Sequence, residues 1–554
     1  MPAVTGNLYW SHTFHLVNLY VAVAVLQNML LADAGQVSFG QGAVFGAAAY
    51  TVGMASTLYH APLPLAALAG LLAALVLGSL FALPALRVQG YYLGFVTLSV
   101  ATVFPELLVA YSDYTNGVNG IRLALPALHR PMVFGVTPLA LLVTALACGA
   151  LVAHAALRRT RLGRQMRVAA ASPEAAVTLG FSPGHVRSAA FVIAALGTGL
   201  AGILYVPVVG FLSPSAFHVE LSIFFFFSVI VGGAGRLLGP IPGVWILYLV
   251  PNVLLVDLVN YRLIGYGLVT LAIMLLFPDG LVGSVESWLR RRRTTAGQAA
   301  VGVESIIAAT GERVTTTAGT APAVAVAGAR KTYGQVVALD RVNISVTPGS
   351  IHGLVGPNGS GKTTLLNVVS GLARLDAGRV LILGADTTRQ PAQRTARLGV
   401  GRTFQTPRVF DDLSIWDNVR IGADFARAHG RAEGPLPGVL ARWQALRPDL
   451  LPHAQRRLLE VLRVIAMDCP ILIFDEPAAG LSPEERKEFA TLLRHLRDAL
   501  GRTIVLVEHD LDLVWRVADR ITVLDAGAIV AEGAPDAIVG DPRVRALFTG
   551  KRGA

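Results

Sequence analysis

Nine apolar stretches follow one another in the first 285 positions, near 13–32, 42–58, 63–84, 91–111, 134–156, 189–208, 221–238, 239–256 and 262–278. A bilayer crossing needs roughly 20 mostly apolar residues. Any one stretch would also serve as a buried core helix, but no soluble core needs so many in succession. The expectation is an all-α polytopic membrane domain over 1–285, with about nine helices, of which the second and seventh are the weakest. Composition agrees: 53% hydrophobic and 15% charged residues is too apolar for a soluble chain of this size. Residues 325–554 nevertheless have ordinary globular composition, so at least two domains are expected.

The chain carries a formal charge of +11, and its arginines cluster where apolar segments end. Examples are Arg158, Arg159, Arg161, Arg164 and Arg167, then Arg290 to Arg293. Such charge marks the cytoplasmic side of a membrane. Loop 157–188 is then cytoplasmic. Four crossings return the chain to that side at Arg290, and five place the N-terminus outside. Arg87 falls inside and loop 112–133 outside. Nucleic acid is not an expected partner, because no basic stripe lies on a recognition motif. Cys148 and Cys469 stand far apart and read as packing residues rather than a disulfide or metal framework. The N-terminus lacks a basic region followed by a cleavage site, so the first apolar run is expected to remain as an anchor.

Several segments are too polar or glycine-rich for plain lipid-facing helix. They are GQVSFGQG (35–42), TNGVNG (115–120) and GGAG (232–235). Irregular backbone at membrane depth is tolerated where it lines a cavity, and glycines equally permit close helix packing; both readings stay open. Glu106, near the outer end of the fourth stretch, either contacts substrate or sits at the interface. In the cytoplasmic loop, Glu174, Ala175, Ala176 and Gly180 suit a short helix docking into a partner's groove. A solvated loop helix is the plain alternative. Residues 286–324 are dominated by small and polar residues and read as a flexible tether, with a short helix expected around Val303–Ala309.

The C-terminal part, 325–554, carries a nucleotide site. An apolar strand runs into Gly356-Pro357-Asn358-Gly359-Ser360-Gly361-Lys362-Thr363, and a helix follows from Thr364. This is the phosphate-binding loop in its required strand–loop–helix setting. Its backbone N–H groups and the helix N-terminus favour anions. Lys362 is expected on the β- and γ-phosphates of ATP and Thr363 on Mg²⁺. About a hundred residues later the apolar run 471–474 ends in Asp475 and Glu476. Carboxylates at a strand's C-terminal end sit where nucleotides bind in open α/β sheets. Asp475 is expected in the Mg²⁺ shell through water, and Glu476 as the base that polarises the attacking water.

Taken together these stretches resemble a known family. GQVSFGQGAVFGAAAY (35–50), LPALRVQGYYLGFVTLS (83–99), the NGVNG segment, RTRLGRQMRVAAASPEAAVTLGF (159–181) and YGLVTLAIMLLFPDGLVG (266–283) look like the permease subunit of branched-chain amino acid transporters of the ATP-binding cassette (ABC) class. The spacing around Glu174 and Gly180 resembles the coupling helix of such importers. Residues 325–550, with DEPAAGLSPEE at 475–485, look like the ATP-binding subunit of the same systems. The resemblance implies an α/β P-loop NTPase fold. It places Tyr333 on adenine, Gln405 as the glutamine that senses Mg²⁺ and water, and His509 on the γ-phosphate.

Two departures stand out. Where the family has a serine–glycine signature before a glutamine, this chain has Leu451-Pro452-His453-Ala454-Gln455, and proline removes a backbone donor. The stretch between Gln405 and Leu451 is also shorter than the family's, so the helical subdomain is expected to be trimmed. An asymmetric pair of ATP sites is implied. A second permease subunit, a second ATP-binding subunit (or a second copy of this chain), an extracytoplasmic substrate-binding protein and an inner-membrane location in lipid follow from the resemblance. Urea or small aromatic acids are alternative substrates. A fused half-transporter acting as exporter, or a regulatory membrane ATPase that moves nothing, are the alternative functions.

Overall fold

Glycine and proline punctuate the helices of the N-terminal half, and polar side chains close the breaks. A computed structural model describes residues 8–88, 90–123, 125–130, 136–254, 262–291, 303–310, 321–431, 448–509 and 511–549. These form two compact units, one within Met1–Ala171 and Pro183–Ala296, the other within Ser172–Ser182 and Gly297–Ala554.

In the first unit α1 spans Leu8–Asn28 and continues as a π-turn over Met29–Asp33. Helices α2 (Gln41–Thr57), α3 (Leu63–Ala85), α4 (Tyr91–Ala110), α5 (Pro138–Arg159) and α6 (Arg161–Ala171) follow. A short helix α7 (Pro173–Thr178) belongs to the second unit. The first unit resumes with α8 (Pro183–Val209), α9 (Val219–Gly232), α10 (Pro240–Leu249, with a π-turn to Leu254), α11 (Arg262–Leu276) and α12 (Gly280–Arg291). Two-residue strands β1 (Ile121–Arg122) and β2 (Phe211–Leu212) pair antiparallel.

Seven helical stretches among the described residues are long and apolar enough to cross a membrane: Tyr9–Asp33, Leu63–Ala85, Tyr91–Ala110, Pro138–Arg159, Pro183–Val209, Pro214–Gly232 and Gly267–Leu289. The candidate at 42–58 is a helix of 17 residues, and that at 239–256 is broken by the π-turn. The candidate at 221–238 ends at Gly232, because Gly233 takes φ +116°. Part of the stretch 134–156 and the segments 255–261 and 131–135 lie outside the described residues.

These helices pack through small residues. A Cβ on Gly78 of α3 would lie 2.1 Å from the Ala195 Cβ of α8, and one on Gly202 of α8 would lie 2.3 Å from the Phe45 carbonyl oxygen of α2. Backbone-to-backbone approach supplies dispersion contact where the hydrophobic effect between lipid-bathed helices is absent. The segment 35–42 is enclosed by the bundle. The Gln27 Nε2 donates to the Ser38 carbonyl at 2.9 Å, the Phe39 N–H to Thr97 Oγ1 at 2.9 Å, the Gly42 N–H to Ser222 Oγ at 3.1 Å, and Thr198 Oγ1 to Gln41 Oε1 at 2.6 Å. Non-helical backbone inside the bundle is thus satisfied internally. Where α1 ends, buried Asp33 takes His154 Nε2 at 2.6 Å and the Arg158 guanidinium at 2.8 Å. Arg158 also donates to the Gly235 carbonyl at 2.8 Å.

The second unit begins with a helix α13 (Val303–Thr310) where a short one was expected. The remainder of 286–324 is helix α12 up to Arg291, leads into β3 at 321–324, or lies outside the described residues at 292–302 and 311–320. Strands β3 (Val324–Tyr333), β4 (Val336–Val346), β6 (Ala377–Ile382) and β7 (Ala385–Asp386) make an antiparallel sheet in the order β4-β3-β6-β7. The second sheet has the order β12-β11-β5-β10-β9-β8. Its strands are β5 (Ile351–Val355), β8 (Val400–Arg402), β9 (Ile471–Asp475), β10 (Thr503–Val507), β11 (Arg520–Asp525) and β12 (Ala528–Gly533). All but β12 run parallel to their neighbours. β5, β9 and β10 are buried along their whole length, which is why they read as continuous apolar runs. Helices α14 (Lys362–Val369), α15 (Ala392–Leu398), α16 (Ile415–Ala428), α17 (His453–Ala466), α18 (Pro483–Asp498), α19 (Leu511–Val517), α20 (Pro535–Gly540) and α21 (Pro542–Thr549) complete the unit. Ile306 of α13 is fully buried, and Thr310 Oγ1 meets His495 Nε2 of α18 at 2.9 Å.

Candidate functional site

Three parallel strands end at one point. β5 delivers the loop 356–361, β9 delivers Asp475 and Glu476, and β10 delivers Glu508 and His509. Gly356 approaches so closely that a Cβ there would lie 2.1 Å from the Leu524 carbonyl oxygen. Lys362 opens α14 and folds back under the loop. Its ammonium donates to the carbonyls of Gly356 and Pro357 at 2.8 Å each. Burial pushes the Lys362 pKa down, against the pull of Glu476 and Asp475. Asn358, Gly359 and Thr363 are exposed along the loop and helix start, with Thr364 half-buried behind them. Tyr333, at the end of β3, is half-exposed, with the Lys331 ammonium 5.2 Å from its ring centre.

Asp475 is 2% exposed. Burial raises its pKa, against the Arg402 guanidinium that lies 3.3 Å from Oδ2. Its Oδ1 is buried and has no hydrogen-bond partner among the described residues. A buried carboxylate oxygen left bare is costly unless a cation or its water completes it. The donor set of Asp475 and the Thr363 hydroxyl, hard oxygens beside a phosphate cradle, fits Mg²⁺. Glu476 sits at φ +48°, an unfavourable region for a residue with a Cβ. Its N–H donates to the Val507 carbonyl at 2.8 Å, which holds the backbone there. Gln405 Nε2 donates to Glu476 Oε2 at 3.1 Å, and His509 Nδ1 lies 3.6 Å from the same oxygen. The residues expected at this site therefore converge: Lys362, Gln405, Asp475, Glu476 and His509.

The short helix α7, expected to dock into a partner's groove, packs against other elements of the second unit. Ser172 caps α7, its Oγ accepting the Ala175 N–H at 3.2 Å. Ala175 and Ala176 are buried. Gly180 (φ +80°) lies so near Phe425 of α16 that a Cβ would meet the ring at 2.4 Å. The Arg397 guanidinium donates to the Gly180 carbonyl at 3.1 Å, and Arg408 Nη2 to Glu174 Oε2 at 3.2 Å.

The stretch Leu451 to Gln455 leads into α17. Pro452 precedes its first turn, Pro452 and His453 are exposed, and Leu451, Ala454 and Gln455 are half-buried. Much of the segment expected to be shortened, 432–447, lies outside the described residues.

Sequence reasoning missed four charged residues near the site. Arg402 is buried in β8 and bridges Ser370 Oγ (2.7 Å) to Asp475. Arg457, Glu460 and Arg463 lie buried on α17. Their i, i+3, i+6 spacing, interleaved with leucines on the apolar face of an amphipathic helix, is the signal that was available.

Two family models match the chain. One is described as the branched-chain amino acid transport system / permease component, over residues 11–278, and the other as ABC transporter, over residues 339–479. The high-affinity branched-chain amino acid transport ATP-binding protein LivG of Escherichia coli (strain K12) is 34% identical over 252 residues, which cover 42% of this chain and 98% of that protein. The probable branched-chain amino acid transport ATP-binding protein LivG of Archaeoglobus fulgidus is 34% identical over 243 residues, covering 40% and 92%. The sulfate/thiosulfate import ATP-binding protein CysA of Mycobacterium bovis is 39% identical over 226 residues, covering 40% and 64%. A solved nucleotide-free ATP-binding cassette from an ABC transporter is 27% identical, with a TM-score of 0.36, covering 41% of this chain and 98% of its own.

Proposed function

Because the chain belongs to the ABC transporter family, a branched-chain amino acid type permease joined to an ATP-hydrolysing motor, we propose that it imports branched-chain or related amino acids across the cytoplasmic membrane. The main support is the presence, in one chain, of a permease match over 11–278 and a LivG-like motor aligned over 98% of that relative.

In this reading Lys362 leaves the loop carbonyls for the β- and γ-phosphates of ATP, while the N–H groups from Gly356 to Thr364 cradle them. Tyr333 stacks on the adenine. Thr363, Gln405 and Asp475, the last through water, would hold Mg²⁺, which would supply positive charge to offset that of the phosphates. Glu476 polarises the attacking water, and a base held this way is worth about 10²–10⁴-fold in rate. Gln405 orients that water with it, and His509 contacts the γ-phosphate. Docking of α7, through Glu174, Ala175, Ala176 and Gly180, passes motor movement to the membrane helices. The motor and its tether lie in the cytoplasm. A second permease, a second motor or copy of this chain, and an extracytoplasmic binding protein complete the machine.

The test is uptake of labelled leucine into proteoliposomes loaded with ATP and Mg²⁺, with the binding protein outside. Uptake should need both ATP and the binding protein. Outward movement, or uptake of another solute with leucine inert, would overturn the direction or the substrate.

A further inference from the structure

Arg457 is 1% exposed, in the second turn of α17. Isolating a guanidinium from water costs several kcal/mol unless it is closely paired. The Glu460 carboxylate is 3.9 Å away, too far for a hydrogen bond. Its Nε has no partner among the described residues. What the guanidinium does hold is backbone. Nη1 donates to the Phe404 carbonyl and Nη2 to the Gln405 carbonyl, at 2.6 Å each. A planar fork set on two successive carbonyls fixes their orientation in a way a single ammonium cannot. An apolar side chain of similar volume would fill this space at lower cost, so packing alone gives no reason for an arginine.

The rest of the turn is held from the same helix. Fully buried Glu460 accepts the Arg408 N–H at 3.1 Å and is steadied by Arg463 at 3.4 Å. Residues 404–408 are thereby tied at both ends to α17. From one end Gln405 reaches Glu476 at 3.1 Å, and from the other Arg408 reaches Glu174 at 3.2 Å.

We infer that Arg457 is a positioning residue for ATP hydrolysis: with Glu460 it makes α17 the common anchor of the turn that joins the hydrolytic carboxylate Glu476 to the docking helix carrying Glu174. Displacement at the start of α17, at Pro452 to Gln455, then reaches Gln405 and Glu174 together.

The inference rests on the proposed placement of hydrolysis at Gln405 and Glu476, and one experiment separates the two. Arg457→Lys, Gln405→Ala and the double variant are made in the full chain, purified in detergent with its associated subunits. Arg457→Lys should lower kcat about ten-fold or more and leave the KM for ATP within about two-fold, roughly 1.4 kcal/mol confined to the turnover step. The double variant should be no slower than Gln405→Ala alone, because both remove the same contact. Losses that multiply, or parental turnover in Arg457→Lys, would overturn the role of Arg457. If Arg457→Lys does not fold, Glu460→Gln enters the same cycle and is read the same way. Normal turnover in Gln405→Ala and in Glu476→Gln would instead overturn the placement of the site.

Discussion

Glycine does different work in the two units. In the membrane unit a Cβ on Gly243 would lie 1.8 Å from the Ser228 carbonyl oxygen, and one on Gly232 would lie 1.8 Å from that of Gly239. Glycine is required there because another backbone occupies the space. In the motor Gly359 has φ +80° and nothing within 4 Å of an added Cβ. Glycine is required there by the turn alone, not by a crowding neighbour. Buried charge divides in the same way. In the membrane unit Asp33, His154 and Arg158 pair with one another, whereas in the motor Arg457 holds two backbone carbonyls and Arg402 pairs with Asp475 at the end of β9. Helices in lipid gain little by association except through close contact, while an enzyme must hold polar groups ready for reaction.

The comparison can be broken in several places, beginning with the largest effect. Glu476→Gln should cut ATP turnover by about 100-fold or more with nucleotide binding intact, and the matching change in a partner motor should cost less. Equal residual rates from both would show that the stretch 451–455 is no handicap. Asp33→Asn leaves Arg158 and His154 facing a neutral group in a buried site, so a loss of about 3–5 kcal/mol is expected in detergent melting. A change under about 1 kcal/mol would mean that this cluster is not closed on itself.

Acid should act on the motor. Burial holds the His352 pKa down at about 4, from 6.5, with Nε2 2.8 Å from Thr522 Oγ1. The folded state keeps this ring neutral while the unfolded chain protonates it. Stability is therefore complete above pH 6.5 and falls as pH drops from 6.5 toward 4, by up to about 3 kcal/mol at ~1.4 kcal/mol per pKa unit. His352→Gln should flatten that slope in melting scans. Gly243→Ala against Gly359→Ala tests the glycines directly. The first should cost about 3 kcal/mol through backbone displacement, the second about 1–2 kcal/mol through an unfavourable φ alone. Equal shifts would remove the distinction. Arg408→Ala, which removes an exposed pair, should change stability by less than about 1 kcal/mol while lowering solute moved per ATP. Unaltered stoichiometry would detach the Glu174 contact from coupling.

The phosphate loop and the Asp475–Glu476 pair were legible because their chemistry is local: a buried strand, then residues whose spacing is set by one ligand. The apolar helices were legible because the bilayer fixes their length. The glycines at 232–235 marked a break there, but the exact stop at Gly232 and the π-turn after α10 were not legible. Arg402, Arg457 and Glu460 escaped because charged residues in a helix or strand ordinarily face water. For Arg402 only the tertiary fold shows its partner Asp475, 73 residues on at the end of β9; on α17 the spacing of Arg457, Glu460 and Arg463 was the cue that went unused. Gln405 and His509 came from resemblance rather than from any local pattern.

The membership of Ser172–Ser182 in the motor's unit bears on how the protein can be dissected. A fragment beginning at Gly297 would lose the segment that packs on Phe425 and meets Arg397. That fragment would uncover one side of the Phe425 ring, still flanked by His429 and Arg431, and leave the Arg397 guanidinium without the Gly180 carbonyl. It should self-associate or cling to detergent until the missing eleven residues, Ser172 through Ser182, are supplied as a peptide.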